Sequence, residues 1–199
     1  MVPALILAAG RSVRMGTSKA LLPYGPGGEP FVVRLATTLA AGGTARVLVV
    51  GRADDPVLRG VLRTRAPYVR FVVNQEADTG GPLSSIVAGL NAIDGPEVLG
   101  LMATPVDIGG LTAPTVAALL TAFRHAPDRI VRAVHGGRHG HPVIFPRSVF
   151  DEIRRADPAI GAKSVVRAHE AEVVNVEVDD AGVVDDINTP EDYRRAFGG

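Results

Sequence analysis

The feature that most constrains this chain is an alternation. Short apolar runs return along its first two thirds, and segments of helical spacing fill the gaps between them. Residues 3–9 (PALILAA), 45–50 (ARVLVV), 69–73 (VRFVV) and 98–103 (VLGLMA) read as strands. Residues 31–41, 56–65, 83–93 and 112–123 carry the apolar periodicity of helices. The first of these helices is expected to stop at Gly42-Gly43, and Pro114 suits the first turn of the last, where a missing N–H costs nothing. Strands alternating with helices build right-handed βαβ units and a mainly parallel sheet covered on both faces. LILAA and VLVV are apolar throughout, as strands buried on both faces must be. The expected fold is a three-layer α/β sandwich around a mainly parallel, Rossmann-like sheet.

The rhythm changes after residue 128. Residues 130–134 and 142–145 flank Gly136-Gly137-Arg138-His139-Gly140, which predicts a small hairpin-like β excursion. Residues 173–178 read as a late strand, and Pro190 starts a last helix. There is no internal repeat and no linker composition, and 199 residues fit one domain. The last third is expected to cap one end of the sheet, with a nucleotide half at about 1–110 and an acceptor half at about 111–199.

Composition removes several function classes. Lys and Arg number 21, as do Asp and Glu, so a general basic field for nucleic acid is absent and any polyanion site must be local. Without cysteine there is neither a disulfide framework nor a thiolate metal site, which fits a reducing cytoplasm. No apolar run reaches the ~18 residues of a membrane span. The apolar start runs into Gly10-Arg11 rather than a small-residue cleavage site, so it reads as a buried strand and not a signal peptide.

In open α/β sheets ligands bind beyond the carboxyl ends of the strands. That selects residues 10–19, 74–85 and 104–107. In the first segment Gly10 and Gly16 bracket Arg11 and Arg14, with Lys19 close behind. Glycine admits a ligand close to the backbone, whose N–H groups form an anion nest. The spacing excludes both the dinucleotide pattern GxGxxG and the Walker pattern GxxxxGK[ST]. A solvated surface loop is the competing reading. Asp107, just past the fourth strand, is either a turn cap or a ligand for Mg²⁺, which takes a few carboxylates plus phosphate oxygens and water. Thr189, Pro190, Glu191 and Asp192 suit a helix start. His135, His139 and His141 cluster near the hairpin, without an apparent fourth ligand for zinc.

The run Leu7-Ala8-Ala9-Gly10-Arg11-Ser12-Val13-Arg14-Met15-Gly16-Thr17-Ser18-Lys19 resembles the LAAGxSxRMGxxK signature of the MobA/MocA-like nucleotidyltransferases. The best-known members attach a nucleotide to the phosphate of molybdopterin. The resemblance implies the fold of the nucleotide-diphospho-sugar transferase type. It implies that Leu7, Ala8, Ala9 and Gly10 meet base and ribose through their backbone, with Arg11 and Ser12 in the same binding loop. Arg14 and Lys19 would hold the β- and α-phosphates and act catalytically with Asp107, which falls in a PVD motif. Asn74, Gly81, Pro82 and Ser84 fall in the base-selecting segment. GPLSS lies between the guanylyl form GPLAG and the Ser-rich cytidylyl form, and Ala9 leans toward CTP over GTP.

Residues 186–192 (DINTPED) resemble the family's DxDTPED, with Asn188 at its second acidic position. Asn188 is carried as the second Mg²⁺ ligand beside Asp107, with Asp186 as alternative. Gly140-His141-Pro142-Val143 resembles the family's GHPV segment, which places His141 and Pro142 at the acceptor. Lys163 stands where the family's GAR loop has Arg, keeping the charge but losing the bidentate fork. The implied reaction transfers NMP from an NTP, with Mg²⁺, to a phosphorylated small molecule such as molybdopterin, releasing pyrophosphate. A molybdoenzyme or maturation factor is the implied protein partner; nucleic acid and membrane are not. The departures at Asn188 and Lys163 leave one alternative, a different acceptor such as a sugar phosphate, and Asn188 alone leaves another, a non-catalytic nucleotide-binding or cofactor-chaperone protein.

Overall fold

A computed structural model describes residues 1–11, 18–93, 95–108 and 110–197. The chain runs β1 (Ala4–Leu7), β2 (Pro23–Tyr24), β3 (Glu29–Pro30), α1 (Phe31–Ala41), β4 (Val47–Arg52), α2 (Pro56–Arg65), β5 (Arg70–Asn74) and α3 (Gly81–Ala92). It continues β6 (Gly100–Pro105), α4 (Ala113–His125), β7 (Val131–His135), β8 (Arg138–Pro146), α5 (Phe150–Arg155), α6 (Lys163–Ala168), β9 (Val174–Glu177) and α7 (Pro190–Phe197). Seven strands form one sheet in the order β5-β4-β1-β6-β8-β7-β9. β8 is antiparallel to both of its neighbours, and the other pairings in this sheet are parallel. The mixed sheet, covered on both faces, is the α/β sandwich the alternation predicts.

Each face has its own apolar cluster. Ala4 and Ile6 of β1 point with Val49 and Met102 toward α1, α2 and α4, where Leu39, Leu58 and Leu119 are buried. Leu5 points with Leu48 and Leu101 to the other face, against Leu83, Ile86 and Ile153. The unbroken apolar run of β1 is the one-dimensional record of this two-sided burial. α2 starts on Asp55, whose carboxylate accepts the Leu58 N–H at 2.9 Å, with Pro56 opening the helix. α7 starts on a reciprocal cap. The Asp192 N–H donates to the Thr189 hydroxyl at 3.1 Å, and Asp192 Oδ2 accepts the Thr189 N–H at 2.9 Å.

The last third departs from the expected end cap. β7, β8 and β9 widen the main sheet, and β8 inserts between β6 and β7. Val143, Ile144 and Phe145 are all buried, so β8 needs cover on both faces and finds it only inside the sheet. The hairpin turn is also tighter than residues 136–140. Gly136 and Gly137, at φ 55° and 73°, make a two-residue turn, so His135 pairs directly with Arg138. α5 and α6 have no counterpart in the sequence reading. Each is six residues long, too short for a periodic signal, and they contribute Phe150, Ile153 and Val165 to the second core.

Candidate active site

β1 leads to β4 and β5 on one side and pairs with β6 on the other, so the crevice beyond the ends of β1 and β6 is the sheet's switch point. Leu7 and Pro105 end these strands in register. Ala8 N–H bonds back to Val50 O at 2.8 Å, which fixes the exit of β1, and Ala8 and Ala9 are buried while Gly10 opens to solvent. A cleft of about 240 Å³ lies here, lined by Leu7, Ala8, Gly10, Ser18, Lys19, Ala20, Pro105, Val106, Asp107 and Asn188. Thus Leu7, Ala8, Gly10, Lys19, Asp107 and Asn188, selected from three distant segments, line one space. Ser12 and Arg14 lie outside the described residues.

Lys19 organises the cleft. Its Nζ donates to Asp107 Oδ2 and to Asn188 Oδ1, each at 2.8 Å. The Lys19 and Asp107 side chains are only 13% and 17% exposed, so water screens this pair weakly. The Asn188 amide also bonds the Asp186 side chain, a donor's contact to a carboxylate. Partial desolvation raises the Asp186 carboxyl above its ordinary value, and the nearby Asp107 charge raises it further. Burial holds the His141 imidazole below its ordinary value against the pull of Asp186 and Asp107. His141 therefore sits at the acidic cluster, with its Nδ1 buried and unpartnered. Pro142, next to it, is buried in β8.

A strap formed by residues 180–188 brings Asp186 and Asn188 to the cleft. Ile108 and Asp186 form a β-bridge, and the Ile187 N–H donates to Asp107 O at 3.1 Å. Glycine makes the approach possible. A Cβ on Gly182 would lie 2.2 Å from the Gly110 Cα, and one on Gly140 would lie 2.3 Å from the Val183 carbonyl oxygen. Asp180 anchors the strap's start. Its Oδ2 accepts the Thr112 N–H at 3.0 Å, the Thr112 hydroxyl at 2.9 Å and the Thr115 hydroxyl at 2.7 Å. This buried carboxylate ties down the first turn of α4 from 65 residues away, which no local pattern announces.

The base-selecting segment is held by its own side chains. Asn74 Nδ2 donates to the Ser84 and Ser85 hydroxyls at 2.8 and 3.0 Å, and its Oδ1 accepts the Glu76 N–H at 2.9 Å. Asn74 and Ser84 are buried, while Gly81 and Pro82 are exposed at the start of α3. Arg11 forks onto Asp78 at 2.8 and 3.0 Å, and Arg52 reaches the same carboxylate at 2.6 Å. The two guanidiniums hold the Asp78 carboxyl well below the usual carboxylate range. Arg52 and Asp78 escaped the sequence reading because their link exists only where β1, β4 and β5 end side by side. Lys163 is exposed at the start of α6, outside the cleft's lining.

The donor set at the strap fits a hard divalent cation. Two carboxylates, Asp107 and Asp186, lie close enough to raise the proton affinity of Asp186, and the Asn188 carbonyl oxygen joins Asp107 around Lys19. All three offer oxygen, and two or three protein oxygens suffice where phosphates and water complete the shell. The histidines disperse instead. His135 Nδ1 meets Val178 O at 2.8 Å, His139 Nε2 meets Arg132 at 3.0 Å, and His141 faces the acids. Among the described residues no group of three or more His, Cys, Asp or Glu is arranged for a metal.

The MobA-like NTP transferase domain matches residues 4–173. A molybdenum cofactor guanylyltransferase of Rhizobium rhizogenes is 31% identical over 156 residues, covering 76% of this chain and 67% of that protein. Purine catabolism protein PucB of Bacillus subtilis is 27% identical over 202 residues, covering 97% and 96% of the two chains. The manganese complex of Rv0371c from Mycobacterium tuberculosis superimposes with a TM-score of 0.74 at 24% identity, covering 100% of this chain and 98% of that one.

Proposed function

Since the chain belongs to the MobA-like NTP transferase family and is a nucleotidyltransferase, we propose that it transfers NMP from an NTP to the phosphate of a molybdopterin-type acceptor. The observation that carries this reading is the meeting of Lys19, Asp107 and Asn188 in one cleft at the switch point. An acceptor phosphate oxygen attacks the α-phosphorus, the bond to the β-phosphate oxygen breaks, and pyrophosphate leaves. Positioning and charge neutralisation carry such a reaction. The Leu7-to-Gly10 backbone seats base and ribose, with Arg11 and Ser12 beside it. Lys19 and Arg14 neutralise phosphate charge. Asp107, with Asn188 or, as the alternative, Asp186, would hold Mg²⁺, which when bound neutralises phosphate oxygens. Asn74, Ser84, Gly81 and Pro82 shape the wall that receives the base. His141, Pro142 and Lys163 serve the acceptor, on the half of the chain from about 111 onward. The cleft itself draws on both halves, because the strap crosses back to it.

CTP is the first reading for the donor, on Ala9. GTP is the second, because the Rhizobium relative is named a guanylyltransferase. A different phosphorylated acceptor is favoured by Lys163 and by the nearly full-length match to a relative named for purine catabolism. Among the described residues no helix is long and apolar enough to cross a membrane. We place the reaction in the cytoplasm, where a molybdoenzyme or its maturation factor could receive the product. Pyrophosphate release would be measured with molybdopterin and with a sugar-phosphate panel, each against CTP, GTP and UTP with Mg²⁺. Release with molybdopterin and CTP is expected. Release only with GTP moves the donor to the second reading, and release only with a sugar phosphate overturns the acceptor.

A further inference from the structure

Lys19 Nζ lies 2.8 Å from Asp107 Oδ2 and 2.8 Å from Asn188 Oδ1, so its ammonium fills the point that both oxygens face. A divalent cation bound by those oxygens at about 2.0–2.6 Å would compete with the ammonium for the same acceptors, and the two charges repel. The bridge is also well set: Lys19 is 13% exposed and Asp107 17%, and Asn188 is fixed from its own backbone N–H, which donates to Asp192 Oδ2 at 3.0 Å. Lys19 is the last residue of the motif that points to phosphate.

On the reading that Asp107 holds the reaction's divalent cation, we propose that Lys19 is the resident cation of the nucleotide-free protein. It suppresses uptake of free divalent metal, and the site accepts metal as the metal–nucleotide complex. Phosphate oxygens give the ammonium a new partner, draw it off Asp107 and leave the carboxylate for the cation. Nucleotide and metal then strengthen each other's binding by one common factor.

The test is a titration with Mn²⁺, read as loss of the free-ion electron paramagnetic resonance signal. It uses the wild type, Lys19→Met, Asp107→Asn and the double variant, with and without a non-hydrolysable CTP or GTP analogue. Wild type is expected to bind Mn²⁺ at least about tenfold more tightly with the analogue, within the usual span of such couplings. Lys19→Met should gain at least about tenfold in affinity for Mn²⁺ without nucleotide, a size of coupling again ordinary for linked sites. The double variant should lose that gain. Unchanged or weaker Mn²⁺ binding in Lys19→Met, where Asp107→Asn still abolishes binding, overturns the gate and leaves Asp107 as the ligand. A gain that survives Asp107→Asn overturns both, because the cation then sits elsewhere. Lys19→Gln repeats the comparison should Lys19→Met melt early.

Discussion

Lys19 and Asp107 meet across 88 residues of sequence, and each has little value without the other. In the proposed reaction both act on charge that builds on the phosphates, in a cleft where water screens weakly. Lys19→Ala and Asp107→Ala should each lower pyrophosphate release by about 10²–10³, the usual cost of losing one preorganised charge partner. Circular dichroism should show an unchanged fold. A variant that keeps near wild-type turnover would remove that residue from the mechanism. Asn74 belongs to another category. Its side chain is spent on Ser84, Ser85 and the Glu76 backbone, so its identity matters through the loop it shapes. Residue types were readable here, since phosphate chemistry asks for cations, glycines and an acid after strands. Partners were not. Arg11 answers the motif's demand for a cation, yet in this structure it forks onto Asp78, 67 residues away.

At the scale of elements, the strap decides whether Asp186 and Asn188 reach the cleft. Gly182→Ala would push a Cβ into Gly110, where only backbone atoms stand to yield. Overpacking of this kind costs about 1–3 kcal/mol, and pyrophosphate release should fall as the strap lifts. Asp180→Ala strips three donors of their acceptor at the start of α4. With charged hydrogen bonds worth about 1.5–3 kcal/mol each and not additive, a loss of roughly 3 kcal/mol is expected in urea melts. A loss below about 1 kcal/mol would mean that water replaces the carboxylate. The helices α1 and α2 were legible to the residue, because an apolar stripe, Gly42-Gly43 and the Asp55-Pro56 start are all local signals. α5 and α6 were not, because six residues hold less than two turns of pattern. The end cap expected of the last third became three strands, because burial on both faces is met by the neighbours β8 finds and not by β8 itself.

Two whole-molecule properties follow. Asp78, Glu170 and Asp192 bind protons less readily in the fold than in the unfolded chain, where ordinary values are 3.8 for Asp and 4.5 for Glu. The stability they lend is complete above those values and is lost as pH falls below them. Asp186 has the opposite sign, since its raised carboxyl strains the fold only when charged. His141, held below its ordinary value like the first three, lends stability that is likewise lost as pH falls. Four against one, the melting temperature should drop from pH 6 to pH 3, and Asp78→Asn should drop less than wild type. An equal drop would assign acid sensitivity to other groups. Nucleotide binding should add about 2.7 kcal/mol at 100 times its dissociation constant, visible as a thermal shift that grows with Mg²⁺.

By itself the sequence determined the α/β class, the two-faced burial of β1 and β4, and the segments from which the cleft is built. These follow from periodicity and from chemistry that local residues carry. Only the tertiary structure decided the strand order, the place of β8, and the arrangement in which Lys19 bridges Asp107 and Asn188 while Asp180 and Gly182 seat the strap. Those depend on which distant surfaces bury each other, a condition on the whole chain that no window of residues contains.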